Sequence, residues 1–343
     1  MVENLFIERS KYKSTTKIPY VVVDTLPKLG LLTSLRFLEW VSVNPKGVIS
    51  LPTGKTPEYF IKWTQKILNN WNNPKIRSLC IENGLEVIKK PDLSNLAFVQ
   101  IDEFFPINPV QKNSFYDYIL NYYVKGFGLN KNNCLLINCE DILKTEIENI
   151  ENLFQNRKVD LSLRYRDPDN KNEEFQKIFI YKTDQWCSDY EEKIRGLGGI
   201  GFFLGGIGPD GHIAFNIKGS DHNSTTRLLE TNFETQAAAA ADLGGINIAR
   251  SRLVISIGLQ TITYKSDSIA LIIAAGDAKS EIVRNSIESK PDIQYPASVL
   301  QRLKGSRFYL TEGASSKLTD VVKKELSTTN WSKKKIEREI IGL

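Results

Sequence analysis

Residues 200–216 read IGFFLGGIGPDGHIAFN. An apolar run, 200–204, leads directly into a turn that holds Gly205, Gly206, Gly208 and Gly211 and carries Asp210 and His212. Nearly continuous apolar character suits a strand covered on both faces. The same pattern returns at 20–23, 47–51, 97–101, 135–137, 253–257, 269–274 and 308–310. Helical patterns separate the runs, at 57–70, 114–124, 190–196 and 279–288. This alternation predicts a doubly wound α/β fold: a mainly parallel sheet with helices on both faces, a Rossmann-like three-layer sandwich. Ligands of such sheets bind beyond the carboxyl ends of the strands. The loops after Leu51, Ile101 and Leu204 are therefore the places to search.

The bulk properties narrow the class. Of 343 residues, 41% are apolar and 25% charged, an ordinary composition for a soluble globular chain. The net charge of +5 is spread along the sequence. Lys333-Lys334-Lys335 reads as the solvated face of an amphipathic terminal helix, so no nucleic-acid partner is expected. No apolar run approaches the ~20 residues of a membrane span. The opening MVENLFIERSKYKS lacks the apolar core of a signal peptide. Cys80, Cys134, Cys139 and Cys187 are scattered, far from His212 and His222 and without metal-ligand spacing. Free thiols in a reducing cytosol follow, and a metal-independent cytoplasmic protein.

One domain spanning 1–343 is expected, with a charged surface elaboration at 141–189 and a helical tail at 316–343. Within the elaboration, 177–182 reads as a hairpin. The five alanines at 237–241 predict a helix packed closely on a neighbour, and no internal repeat is present.

Three loops carry residues with chemistry. The first, LPTGKTPEYF at 51–60, resembles the end of a P-loop, but the required first glycine is Ile49. What remains is a turn, Thr53-Gly54-Lys55-Thr56, ahead of a helix, where free amides, the helix dipole and a lysine suit an anion. The second is Asp102-Glu103 at the end of the 97–101 strand, where a carboxylate can serve as general base, metal ligand or helix cap. The third is the glycine turn itself. Gly206-x-Gly208-x-x-Gly211 formally matches a dinucleotide fingerprint, yet Asp210 would repel a pyrophosphate and no acidic strand end follows ~20 residues on. The better reading is glycines that let the backbone approach a small ligand, with the His212 imidazole as proton shuttle and Asp210 setting its tautomer. An anion cradle, a carboxylate base and an Asp/His pair suit proton transfer on a phosphorylated sugar.

The same segments resemble the glucosamine-6-phosphate deaminase/isomerase family, a sister of the 6-phosphogluconolactonases. LPTGKTP is similar to the family's LPTGGTP, QIDEFF to its MDEY segment, and GGIGPDGHIAFN to its GGxGxDGHIAFN signature; YEEKIR at 190–195 also fits. The resemblance spans roughly 47–312. It implies that Asp102 moves a proton between C2 and C1, and that His212, oriented by Asp210, opens the pyranose ring. It further implies that Thr53, Gly54, Lys55 and Thr56 hold the 6-phosphate together with Lys279, with Gly206 close to the sugar. The implied ligand is a hexose 6-phosphate and the products are fructose 6-phosphate and ammonia, without a metal or cofactor; a homo-oligomer is compatible with the chain. Two positions depart from the family. Ile217 stands where the signature continues to a glutamate that completes the Asp/His relay, and the family's phosphate arginine falls by count on Ala241, with Arg250 and Arg252 nearby and Lys55 replacing a glycine. Lactone hydrolysis, as in the sister family, ligand sensing without turnover, and nucleotide binding through the partial P-loop match are the alternative functions.

Overall fold

The computed structural model describes residues 2–10, 12, 14–144, 159–208 and 210–319. Among these, ten strands form two sheets: β1 (Tyr20–Val23), β2 (Val48–Ser50), β3 (Ala97–Val99), β4 (Asp102–Phe105), β5 (Cys134–Leu135), β6 (Phe202–Gly206), β7 (Arg227–Glu230), β8 (Leu253–Ser256), β9 (Ile269–Ala274) and β10 (Gly305–Thr311). Seven make an all-parallel sheet in the order β1-β10-β9-β6-β2-β3-β5. The doubly wound parallel sheet anticipated from the alternating runs is therefore present.

The apolar runs are continuous because alternate residues enter two different cores. Val21, Ile49, Phe98, Phe202, Leu271 and Tyr309 join one cluster, while Val22, Val48, Val99, Phe203, Ile272 and Phe308 join the other. The first cluster is closed by the helices Leu26–Val43 and Glu58–Asn69; Phe37 from one meets Phe202 of β6 with ring centroids 5.3 Å apart. Both rings are fully buried, and truncating either to alanine should cost about 3–5 kcal/mol. Helix starts follow local chemistry: Thr25 accepts from Lys28 N ahead of Pro27, and Asn73 accepts from Lys75 N ahead of Pro74.

Three expectations are corrected. The 253–257 run, expected in the parallel sheet, is β8, the central strand of the antiparallel sheet β4-β8-β7. Its burial is complete, so a nearly continuous apolar run does not reveal which sheet it joins. Asp102 and Glu103, expected in a loop, open β4, and Asp102 pairs with Ser256. The hairpin expected at 177–182 is instead part of a helix, Lys171–Gly196, whose last turns include the helical pattern at 190–196. Gln176, Ile180, Thr183, Cys187, Tyr190 and Ile194 are buried at helical spacing along it, and Asn170 caps its start by accepting from Glu173 N. The local string IFIY hid a longer period. Most of the 316–343 tail, with Lys333-Lys334-Lys335, and residues 145–158 lie outside the described residues.

Candidate active site

The neighbours β9, β6, β2 and β3 deliver their carboxyl-end loops to one edge of the sheet. A cleft of about 820 Å³ opens there, lined by Thr53, Gly54, Lys55, Thr56, Asp102, Gly206, His212 and Lys279. Asp210 stands behind His212, so the loops singled out in the sequence converge on a single cavity.

The turn after β2 is held from outside. Tyr123 donates its hydroxyl to the Pro52 carbonyl and Tyr118 donates to the Gly54 carbonyl at 2.9 Å. Gly54 adopts φ +82°, a conformation costly for residues with a Cβ. Among the described residues, the amides of Gly54, Lys55 and Thr56 donate to no protein acceptor. Unpaired N–H groups just ahead of the Glu58–Asn69 helix favour a bound anion. The turn also touches β6, since a Cβ placed on Gly206 would lie 3.5 Å from the Thr56 methyl. Lys55 is exposed at the lip and Lys279 is half-buried beyond β9. Burial lowers the Lys279 pKa, and the nearby Asp210 charge opposes that shift.

Asp102 sits on the cleft wall, 8% exposed, and no described group hydrogen-bonds to its carboxyl. Burial, reinforced by the charge of Glu103, raises its pKa well above the usual carboxylate range. A desolvated carboxylate of this kind is a stronger base than one in water.

The His212 ring lies directly over Gly208, where a Cβ would come within 2.1–2.4 Å of three ring atoms. Its other neighbour is Phe215, stacked at a centroid distance of 6.2 Å. Nδ1 pairs with one Asp210 oxygen at 2.5 Å, and the second oxygen accepts from the Asn232 amide at 2.6 Å. Burial pushes the Asp210 pKa up, but the hydrogen bond to and charge of His212 outweigh it and hold the group at about 2. Ala214, also on the wall, has φ +52°, a strained conformation for a residue with a Cβ, of the sort that gathers at functional sites.

Sequence reading missed Tyr118, Tyr123 and Asn232. The tyrosines carry no local signal, because their contacts are 64 and 71 residues away in the chain. Asn232 could have been noticed as the cap of the alanine-rich helix, Phe233–Leu243, since Asn-x-x-Thr ahead of a helical run is a start signal. That helix adds Glu234, Thr235, Ala239 and Leu243 to the cleft wall. The departures also have a place. Ile217 is half-buried and does not line the cleft. Asp221 is exposed and accepts from its neighbour Asn223. Arg250 lies over the Phe233 ring and, like Arg252, does not line the cavity. Among the described residues the cations that do are Lys55, Lys62, Lys112 and Lys279, and Lys62 is paired with Glu58.

No protein-family model matches the chain. Over 119 residues it is 40% identical to a glucosamine-6-phosphate isomerase of Candida albicans, a match covering 34% of this chain and 48% of that protein, so it spans about half of that relative's length. Over 298 residues it is 26% identical to a glucosamine-6-phosphate deaminase of Clostridium botulinum, covering 87% of this chain and 98% of the relative. A monomeric glucosamine-6-phosphate deaminase superimposes with a TM-score of 0.64 at 20% identity, over 87% of this chain and 99% of that one. The 6-phosphogluconolactonase of Trypanosoma cruzi gives 0.58 at 14% identity, over 90% and 99%. The chain is thus similar in sequence to the glucosamine-6-phosphate deaminases and isomerases, as its motifs suggested, and shares its fold with them and with the lactonases.

Proposed function

We propose that this chain is a cytoplasmic glucosamine-6-phosphate deaminase/isomerase whose ring-opening step is slowed. The observation that carries the reading is the convergence of Asp102, the Asp210–His212 pair, the 53–56 turn and Lys279 on one cleft. Similarity to deaminases over 87% of the chain supports the same reaction.

The 6-phosphate docks on the free amides of the turn, with Lys55 and Lys279 supplying the charge that the family's arginine supplies elsewhere. His212 takes the proton of the anomeric hydroxyl and returns it to the ring oxygen as the C1–O5 bond breaks. Asp210 holds Nδ1 protonated, leaving Nε2 to do this work. Asp102 then removes the C2 proton while O1 takes one from solvent, giving an enolamine, and returns its proton to C1, which leaves an iminium at C2. Water adds to that carbon and ammonia departs, leaving fructose 6-phosphate. The low-dielectric setting that raises the Asp102 pKa fits it to this proton transfer. A glutamate at 217 is lacking, so the imidazolium formed during ring opening has one carboxylate partner rather than two. Slower turnover of the cyclic sugar follows.

The test is ammonia release from glucosamine 6-phosphate, run beside hydrolysis of 6-phosphogluconolactone. Ammonia with no lactone hydrolysis supports the reading. Lactone hydrolysis alone would assign the sister activity, and ligand binding with neither reaction would make the protein a sensor.

A further inference from the structure

We infer that Asn232 is a positioning residue that locks the Asp210–His212 pair and ties it to a helix that lines the cleft. The inference rests on the reading above only for its kinetic consequence; the geometric claim stands separately.

Asn232 uses both ends of its side-chain amide. The oxygen accepts from Thr235 N at 3.0 Å, capping the Phe233–Leu243 helix. A backbone N–H can only donate, so this bond fixes which end of the amide is oxygen. The nitrogen is thereby compelled to face Asp210 Oδ2, at 2.6 Å. Asp210 therefore accepts on each oxygen, from His212 and from Asn232, and cannot rotate without losing one bond. The donor is neutral. It orients the carboxylate while leaving its charge for the imidazole, which a lysine in the same place would partly cancel.

The charged groups around Asp210 are His212 in its own turn and Lys279 beyond β9. Asn232 is the contribution of the third packed element, the segment ahead of the Phe233–Leu243 helix. It lies 22 residues from Asp210 in the chain, and it connects the Asp/His pair to the helix that carries Glu234, Thr235, Ala239 and Leu243 into the cleft. With an apolar residue at 217, this bond is the outside restraint on the pair.

Two substitutions separate positioning from capping, because serine and aspartate both cap helices well. Asn232→Ser keeps a cap and removes the donor to Asp210. Asn232→Asp keeps the cap and sets a second carboxylate against Asp210. The chain has two histidines, so the His212 Nδ1 proton can be identified by NMR with His222→Asn as the reference. In the unaltered protein this proton should be downfield and slow to exchange. In Asn232→Ser it should broaden and move upfield, while the thermal midpoint stays within a degree or two. Outer partners of metal-ligating histidines typically contribute ~10–100-fold, and by the same orienting action kcat for ammonia release should fall by about that factor here with KM unchanged. In Asn232→Asp the acid limb of the rate profile should move to higher pH, since paired carboxylates hold a proton more tightly. An unchanged Nδ1 proton in folded Asn232→Ser overturns the inference, whatever the activity. A lost proton signal in a protein that releases no ammonia upholds the positioning role and rejects the deaminase reading instead.

Discussion

Asp102 and Glu103 are consecutive residues of β4 whose carboxyl groups have opposite fates. The Asp102 carboxyl reaches the cleft with no hydrogen-bond partner among the described residues. Glu103, 1% exposed, accepts from Ser114 Oγ and from the amides of Phe104, Phe115 and Tyr116. A strand sends successive side chains to opposite faces, so one carboxylate is left reactive and the other caps the Phe115–Ile119 helix.

Asp102→Asn should abolish exchange of the C2 hydrogen with solvent, a loss of ~10²–10⁴-fold in rate, with ligand affinity kept. It should also raise the melting temperature at neutral pH. A carboxyl whose pKa is raised by burial stabilises the fold only while protonated, so its contribution is lost as pH rises through the folded value, and the amide has no charge to bury. Glu103→Gln should instead lower stability by about 1–3 kcal/mol, because an amide nitrogen cannot accept from the donors gathered there. Deuterium exchange and thermal unfolding of the two variants, side by side, test the division of roles.

Lys279→Ala should weaken binding of hexose 6-phosphates by ~10-fold or more and leave the unphosphorylated sugars unaffected, since a charge-assisted bond to phosphate contributes roughly 1.5–3 kcal/mol. Burial lowers the pKa of this lysine, so affinity should begin to fall at a less alkaline pH than for an exposed lysine. Calorimetry with glucosamine and its 6-phosphate checks both points. Equal affinity for the two sugars would remove the anion role from the 53–56 turn as well.

Ile217→Glu should increase ammonia release from the cyclic sugar by giving His212 a second carboxylate. The same change should reduce stability, because a half-buried apolar position must then solvate a charge. If the fold is kept and the rate does not rise, a missing carboxylate does not limit ring opening.

His222 offers a pH test away from the cleft. It is 7% exposed, its Nε2 has no hydrogen-bond partner among the described residues, and burial together with the Arg302 charge lowers its pKa below the usual 6.5. The unfolded chain therefore binds this proton more readily than the folded one. Its contribution to stability is complete above about pH 6.5 and is lost as pH falls through the lower folded value. Melting temperatures between pH 5 and 8 should drop on the acid side for the unaltered protein and drop less for His222→Asn.

The sequence alone determined the layered architecture, because strand segments buried on both faces are apolar at successive positions, as β1, β9, 202–204 of β6 and 308–310 of β10 are. It also marked three segments that reach the cleft, since Thr53–Thr56, Asp102 and Asp210–His212 each come soon after such a run. Tertiary structure alone decided the rest. Whether β8 joins a parallel or an antiparallel sheet depends on its neighbours, which the apolar run at 253–257 does not encode. The period of the Lys171–Gly196 helix becomes visible only over its full length, because four adjacent residues, IFIY, satisfy strand and helix alike. Which of two adjacent carboxylates faces the cleft depends on the register of β4 against β8. The second partner of Asp210, beside His212, is Asn232, brought there from 22 residues away, and that bond exists only once the chain has folded.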